Sequence, residues 1–283
     1  MTNPTTGTTA GLTVLALLAF AANSVLARLA LGGPHMDPAS YTSVRLVSGA
    51  ATLFVIARLR RGNSVSLIGG NWLSAAMLFL YAIAFSFAYI SLSTGTGALI
   101  LFPTVQFTMI AIGIYAGERP QPLEWLGLLV AIIGLIYLMS PGVMAPSLLG
   151  ACLMALAGVA WGFYSIWGRG QTNPLGATAD NFMRTVPFAL IILAFWHSEL
   201  SLSSTGLIYA VASGSIASGI GYAIWYAALR GLTATRAATV QVSVPIIAAL
   251  GGVVFLSETI TTRLLLSALA ILGGVGTAVS SRK

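Results

Sequence analysis

The chain has 283 residues, of which 13 are Lys or Arg and 6 are Asp or Glu, so only 7% carry a charge while 57% are apolar. An ordinary soluble domain has about 25% charged residues. So few charges cannot cover the surface of a water-soluble protein of this length. The composition therefore excludes a soluble enzyme and predicts a protein whose solvent is lipid.

Ten apolar stretches follow one another along the chain, and each is long enough to cross a membrane as a helix. They cover residues 11–31, 39–59, 71–91, 95–116, 122–140, 148–168, 177–197, 205–229, 233–256 and 262–280. Their apolar runs are continuous rather than alternating, which favours helices over a β-barrel. The predicted fold class is an all-α integral membrane protein with ten transmembrane helices.

Basic residues collect on one side of these predicted spans. The even-numbered gaps and the two tails contain Arg58, Arg60, Arg61, Arg119, Arg169, Arg230, Arg282 and Lys283. The opposite side has only Arg28, near a helix end, and Arg263. Because Lys and Arg accumulate in cytoplasmic loops, we expect both termini in the cytoplasm and the protein in the bacterial inner membrane. Orientation thus explains the net charge of +7, and no nucleic-acid partner is expected.

The chain repeats itself at about half its length. The matched pairs are Ser24 and Ser165, Arg28 and Arg169, Arg45 and Arg184, Tyr89 and Tyr226, Glu118 and Glu258, and Gly134 and Gly274. Several matches at nearly one period, in corresponding helices, predict a duplicated five-helix unit. Because five is odd, the second unit enters the membrane inverted, as in many transporters. We predict repeats at 1–143 and 144–283 within one integrated membrane domain.

Two segments also resemble a known family. They are TGTGALILFPTVQFTMIAIGIYAGERPQPLEWLGLLVAIIG and GLTATRAATVQVSVPIIAALGGVVFLSETITTRLLLSALAILGG. Each has a Pro in the fourth helix of its half, then a Glu, then a Gly-bearing helix. The chain resembles the EamA repeat of the drug/metabolite transporter superfamily over essentially its whole length. It departs from the pattern at Ser257-Glu258-Thr259, which replaces the more usual Gly-Glu-Arg.

Within the superfamily, three features are most similar to bacterial exporters of aromatic amino acids. These are the opening ALLAFAANSVLARLAL, Arg45 in the second helix and the aromatic sixth helix AWGFYSIWGRG. The resemblance implies an inner-membrane exporter of aromatic and other neutral amino acids and related metabolites. It also implies a central cavity lined by helices 1–4 and 6–9, with helices 5 and 10 at the periphery.

A carrier of amino acids needs polar groups for the ammonium and carboxylate and apolar or aromatic walls for the side chain. Polar residues within apolar helices are costly in lipid and therefore mark candidate cavity residues. The polar candidates are Asn23, Ser24, Gln106, Ser165 and Gln241, and the aromatic ones are Tyr81, Tyr89, Trp161, Tyr164, Trp225 and Tyr226. Ordinary helix packing is the alternative for each of them.

Arg45 and Arg184 lie about 10 Å along their helices. Asp180 stands one turn before Arg184 and can pair with it, and Asp37 can pair with Arg45 across a loop. Two interpretations stay open: a paired gate or anchor at each mouth, or direct contact with a substrate carboxylate.

Proline residues interrupt the fourth and ninth stretches. Each of Pro103 and Pro245 removes an internal hydrogen bond and favours a kink. We predict that they are hinges for alternating access, with a static bend as the alternative.

All six carboxylates lie at or near predicted helix ends, whereas a proton relay is usually built mid-membrane. The sequence therefore predicts gradient-driven export without an ion-coupling site.

The sequence also has no metal-ligand spacing and no phosphate loop, so we expect no cofactor, no metal and no enzymatic activity. The main alternative is a multidrug exporter of aromatic cations, and a membrane enzyme is a remote third. A monomer is expected, because one chain contains both halves.

Overall fold

The computed structural model describes residues 6–61, 69–142, 145–168, 171–232 and 234–280, and most of these residues are helical. The helices are α1 (Thr6–Leu31), α2 (Pro38–Arg61), α3 (Trp72–Ala88), α4 (Thr94–Tyr115), α5 (Pro122–Met139), α6 (Leu148–Trp167), α7 (Pro174–Phe195), α8 (Ser204–Ala212), α9 (Gly221–Leu229), α10 (Ala234–Gln241), α11 (Val244–Leu256) and α12 (Thr262–Ser280). The predicted all-α class is confirmed. The predicted cytoplasmic residues Arg169, Arg282 and Lys283, and the side chains of Arg60 and Arg61, lie outside the described residues.

Nine helical segments of the described ranges are long and apolar enough to cross a membrane, and α3, Trp72–Ala88, is a shorter apolar helix. One of the nine runs from Ser204 to Leu229 and consists of α8, a π-helical segment, Ser213–Ile220, and α9. The predicted ninth stretch is divided, because α10 ends at Gln241 and α11 begins at Val244. The apolar stretches of the sequence thus correspond to observed helices, and the protein is a multi-pass membrane protein.

Polar residues begin several of these helices. Side chains of Asn71, Ser93, Ser147 and Asn173 accept hydrogen bonds from backbone N–H groups in the first turns of α3, α4, α6 and α7. The first N–H groups of a helix have no partner within it, and a side-chain oxygen supplies one. Lipid offers no hydrogen bonds of its own, so these caps help to set where each helix begins.

Helices α5 and α12 pack against each other through glycine. A Cβ atom on Gly127 would collide with the carbonyl oxygen of Gly274, and a Cβ on Gly274 with that of Gly127. Small residues allow such close approach, which is how helices associate in lipid. The outward side of the pair is apolar, with Ile133, Ile136 and Leu269 exposed. This pair therefore forms one edge of the helix bundle and presents an apolar face to lipid.

Candidate substrate cavity

A cavity of about 420 Å³ lies between the helices. Its lining residues come from α1, α3, α4, α6, α7, α9 and α10, while α5 and α12 contribute none of those described. The cavity extends to Gly69, Gly168 and Gln171, beside the loops that precede α3 and α7. We call this the Gly69 end. It lies on the side that the arginine distribution predicts to be cytoplasmic.

Ten of the eleven predicted cavity residues line this cavity. They are Asn23, Ser24, Tyr81, Gln106, Trp161, Tyr164, Ser165, Trp225, Tyr226 and Gln241. Helix packing thus brings together residues from six helices that are up to 218 positions apart in the sequence. Their part in substrate binding stays a prediction, because lining a cavity is not the same as holding a ligand.

Tyr89 is not among the residues that line the cavity, so the prediction for that residue is corrected. Its side chain is fully buried, and its ring packs edge-on against Phe85 with centroids 4.7 Å apart. Its hydroxyl donates to the carbonyl oxygen of Thr94 at 3.3 Å. Tyr89 is the residue that ends α3, and its ring fills the space beside Gly97. It therefore braces the α3–α4 turn, which is the packing alternative.

Aromatic rings form one wall of the cavity, and Trp161 is their centre. Its ring stacks on Tyr222 with centroids 5.5 Å apart and planes 17° apart, and on Tyr164 at 5.2 Å and 30°. Tyr81 lies 4.8 Å from it in a tilted arrangement. Tyr222 is not among the predicted cavity residues, although its position one helical turn before Tyr226 indicates that both lie on the same helix face. Such a wall suits an aromatic or large apolar side chain.

Other lining residues were also missed. Among them are Phe20, Phe85, Phe102, Trp167, Thr178 and Asn181. Trp167 has the position of an interfacial belt residue, yet it lines the cavity near the Gly69 end. Thr178 bridges two predicted residues, since its Oγ1 lies 2.7 Å from the hydroxyl of Tyr226 and accepts a hydrogen bond from Tyr164 at 3.4 Å.

The polar groups of the wall are partly engaged by the protein itself. The side-chain oxygen of Asn23 accepts hydrogen bonds from Ser213 at 2.8 Å and Ser218 at 3.3 Å, both in the π-helical segment. The amide nitrogen of Gln241 donates to the carbonyl oxygen of Ala237 at 3.3 Å. Asn23 can therefore offer its amide N–H groups to a ligand, and Gln241 its side-chain oxygen. π-helical turns occur frequently at functional sites.

No charged side chain stands among the described residues that line the cavity. The wall consists of rings, amides, hydroxyls and aliphatic groups. An ammonium group could be met there by amide oxygens and by the faces of aromatic rings. A carboxylate could be met by amide and hydroxyl donors.

Arg45 lies behind the cavity wall rather than in it. Its side chain is 2% exposed, and its Nη2 donates to the hydroxyl of Tyr81 at 3.1 Å. The guanidinium carbon lies 5.3 Å from the ring centroid of Tyr81 and 4.9 Å from that of Phe85. Its Nη1 atom has no hydrogen-bond partner among the described residues. α2 contributes none of the described lining residues, in contrast to what the family resemblance implies.

The predicted contact between Asp37 and Arg45 is absent. Asp37 instead caps α2: its Oδ1 accepts from the backbone N–H groups of Ala39 and Ser40, at 3.0 and 2.9 Å. Its Oδ2 accepts from the backbone N–H of Ser201 at 2.9 Å. A carboxylate at a helix N-terminus is stabilised by the backbone dipoles. Asp37 is therefore stabilised without an ion pair to Arg45.

The second predicted pair is present. Arg184 Nε lies 3.0 Å from Asp180 Oδ1, and its guanidinium carbon lies 5.2 Å from the ring centroid of Trp72. Asp180 Oδ2 also accepts from the backbone N–H of Gly70 at 3.1 Å. These contacts tie the first turns of α7 to the segment before α3. They lie at the Gly69 end, where an anchor or gate would act.

An ion pair that the sequence did not predict lies one turn of α1 beyond Ser24, which lines the cavity, and we call this region the Arg28 end. Arg28 Nε lies 3.7 Å from Glu258 Oε1. Both carboxylate oxygens of Glu258 accept from the backbone N–H of Thr94 at 3.0 Å, and Oε1 also accepts from its hydroxyl at 3.1 Å. Arg28 Nη1 donates to the carbonyl oxygens of Tyr89 and Ile90, each at 3.0 Å. The sequence pattern predicts no contact between these two charged residues.

The two predicted hinge prolines sit in different settings. α4 continues through Pro103 without interruption. Pro245 lies in the first turn of α11, directly after the break between α10 and α11. Proline fits the first turn of a helix, where its missing N–H costs nothing. The hinge hypothesis is therefore better matched by Pro245 than by Pro103, and movement at either residue stays a prediction.

A multi-pass helical protein that surrounds an uncharged, aromatic cavity of this kind has the architecture of a membrane transporter for small molecules. Residues 148–280 match the EamA-like transporter family. An uncharacterized protein of Pseudomonas aeruginosa is 49% identical over 271 residues, which cover 96% of this chain and 94% of the relative. The chain belongs to the EamA-like transporter family, and it is a transporter rather than an enzyme.

More distant relatives have names that describe transport. A probable amino-acid metabolite efflux pump of Salmonella typhimurium is 24% identical, with 93% of this chain and 92% of the relative covered. The threonine/homoserine exporter RhtA of the same species is 27% identical, with 68% and 66% covered. A solved crystal structure superimposes with a TM-score of 0.68 at 19% identity and covers 97% of this chain and 99% of its own. That likeness shows the fold alone.

Proposed function

We propose that this chain exports amino acids, both aromatic and other neutral ones, and related metabolites across the bacterial inner membrane. The observation that carries the proposal is the cavity wall, in which a ring cluster around Trp161 stands beside amide and hydroxyl groups. A zwitterion with an apolar side chain needs this combination. The names of the Salmonella relatives support the same substrate class.

The cavity works by alternating access in this proposal. The arginine distribution supports a cytoplasmic position for the Gly69 end, and with that orientation we infer an inward-facing state. Substrate enters beside Gly69 and Gln171, and the Arg28–Glu258 pair keeps the outer end closed. Release outside requires that this pair separates while the Gly69 end closes, as two inverted five-helix repeats at 1–143 and 144–283 would allow.

Export needs no coupled ion in this proposal. The described cavity wall has no Asp or Glu that could carry a proton between the two sides. The substrate gradient itself then drives net movement, and one chain, which contains both halves, suffices as a monomer.

The test is uptake of single labelled amino acids into liposomes that contain the purified protein. We expect saturable uptake of phenylalanine and tryptophan, and weaker uptake of threonine, against empty liposomes as background. Absence of uptake for every amino acid, together with transport of a cationic dye such as ethidium, would overturn the proposal. It would favour the second candidate, a multidrug exporter of aromatic cations. Ring faces attract cations as well, but such a site typically includes an acid.

A further inference from the structure

Arg45 is a buried cation that no carboxylate of this chain balances. All six Asp and Glu residues of the sequence lie within the described ranges. Two of them cap helices: Asp37 caps α2 and Glu124 caps α5. Two form ion pairs: Asp180 with Arg184 and Glu258 with Arg28. Glu118 lies next to Gly113, and Glu199 lies in an exposed turn. None of them reaches the guanidinium of Arg45.

The neighbours of Arg45 are neutral. Within the described part of the chain, its side chain donates to the Tyr81 hydroxyl and its Nη1 makes no hydrogen bond. The rings of Tyr81 and Phe85 lie over the guanidinium. The other titratable groups near it are the phenols of Tyr41 and Tyr222. A guanidinium keeps its charge in a protein interior, and a buried charge without a partner is costly. An anion is therefore the complement that this position lacks.

Tyr81 connects this charge to the cavity. Its side chain lines the cavity next to Trp161, with ring centroids 4.8 Å apart. Its oxygen accepts the hydrogen bond from Arg45, so its own O–H hydrogen is directed elsewhere. A phenol that accepts from a cation is polarised and becomes a stronger donor. The wall thus presents a donor supported by a positive charge, beside a stack of aromatic rings.

We propose that Tyr81 and Arg45 form a carboxylate subsite, and that the cavity selects its substrates by the carboxylate rather than by the amino group. The Tyr81 hydroxyl donates to the carboxylate, and Arg45 is a positioning residue that supplies the charge behind it. This inference rests on the proposed function in taking the cavity as the transport site. It extends the substrates to aromatic carboxylic acids without an amino group, and it disfavours aromatic amines, since they lack the carboxylate that Tyr81 and Arg45 would hold.

Four ligands of one shape test the selection: phenylalanine, phenylalaninamide, 3-phenylpropionate and phenethylamine. Their binding is measured by titration calorimetry on the full-length protein in lipid nanodiscs. We expect phenylalanine and 3-phenylpropionate to bind with similar affinity. The amide and the amine should bind at least about tenfold more weakly, because each lacks the charged acceptor. Equal binding of phenylalanine and its amide would overturn the proposal.

Variants test the two residues. Tyr81→Phe keeps the ring and removes the donor, and Arg45→Met removes the charge; both should abolish the preference for acid over amide. Arg45→Lys should restore part of it. Tyr137→Phe, which removes a hydroxyl from the outward face of α5, is the matched control and should leave the preference unchanged. Tyr81→Phe keeps the packing of the ring, so it tests the carboxylate subsite even if Arg45→Met fails to fold. An unchanged preference in Tyr81→Phe would overturn the subsite.

The two proposals can fail separately. Phenylalanine uptake into liposomes with no discrimination between acid and amide would leave amino acid export standing and remove the subsite. Tight binding of 3-phenylpropionate that depends on Tyr81, without uptake of any amino acid, would support the subsite and overturn amino acid export.

Discussion

Arg28 and Glu258 are 230 residues apart in the sequence, yet their side chains lie 3.7 Å apart and bridge α1 to the end of α11. Glu258 also binds the first N–H group of α4, and Arg28 binds the carbonyl oxygens at the end of α3. One pair of charges therefore holds four helix ends together. An exposed ion pair alone would contribute little, but the charge-assisted hydrogen bonds around this one add to it.

Breaking this bridge should open the Arg28 end. In Glu258→Gln, the ion pair is lost and its charge-assisted hydrogen bonds are weakened, at a cost of about 1–3 kcal/mol. A cysteine placed at Ser24 in a Cys152→Ser background should then react with an impermeant thiol reagent from the outside roughly five- to a hundredfold faster. The control is Arg263→Gln, which removes an arginine that donates to the carbonyl oxygens of Ser140 and Pro141. Equal labelling in both variants would contradict a gate at Arg28 and Glu258.

Trp161 should set the preference for aromatic substrates. Trp161→Ala removes the ring that stacks on Tyr164 and Tyr222, and aromatic pairs contribute about 0.5–1.5 kcal/mol beyond buried area. We expect the affinity for phenylalanine in uptake to fall roughly three- to tenfold. The affinity for threonine should change less. Trp125→Ala, on the exposed face of α5, is the control. An equal loss for both amino acids would argue that Trp161 only packs.

The contact of α5 with α12 should be sensitive to a single methyl group. Gly127→Ala places a Cβ against the carbonyl oxygen of Gly274, and such overpacking typically costs about 1–3 kcal/mol. Gly276→Ala is the matched control, since nothing lies within 4 Å of its added Cβ, and alanine favours a helix. Thermal unfolding in detergent should show a lower midpoint for Gly127→Ala alone. A similar midpoint for both variants would mean that the helices adjust freely.

The two prolines should not be equivalent. Pro245→Ala removes the residue that follows the break between α10 and α11, so the two helices could join and stiffen the ninth span. Pro103→Ala lies within a helix that is already continuous. We expect slower counterflow of phenylalanine for Pro245→Ala and a smaller effect for Pro103→Ala. Full transport by the double variant would contradict the hinge hypothesis altogether.

Transport should not depend on a proton gradient. The described cavity wall has no Asp or Glu, so no group there can load a proton on one side and release it on the other. We expect the same phenylalanine counterflow with and without a pH difference across the liposome membrane. Counterflow that requires the pH difference would show that a proton is coupled elsewhere in the protein.

Part of the candidate site could be predicted because a polar or aromatic residue within an apolar stretch can be recognised from the neighbouring sequence alone. Gln106, Gln241 and Trp161 stand out within apolar stretches, and each lines the cavity. Tyr89 stands out equally well and lies in a turn instead. The residues around Tyr89 in the sequence do not show which side of α3 faces the cavity. That side depends on how α3 is rotated against the neighbouring helices.

The class of the protein and its membrane spans could be predicted from the amino-acid sequence alone, because about 20 consecutive apolar residues favour lipid whatever surrounds them. The Asp180–Arg184 contact was also readable, since one helical turn brings the two residues together. The helix packing shows that Asp37 caps a helix instead of contacting Arg45, and that Glu258 pairs with Arg28. It also shows that Arg45 has no counter-ion among the described residues. Those relationships join segments far apart in sequence, and the packing of helices against one another sets them, which no local pattern of residues contains.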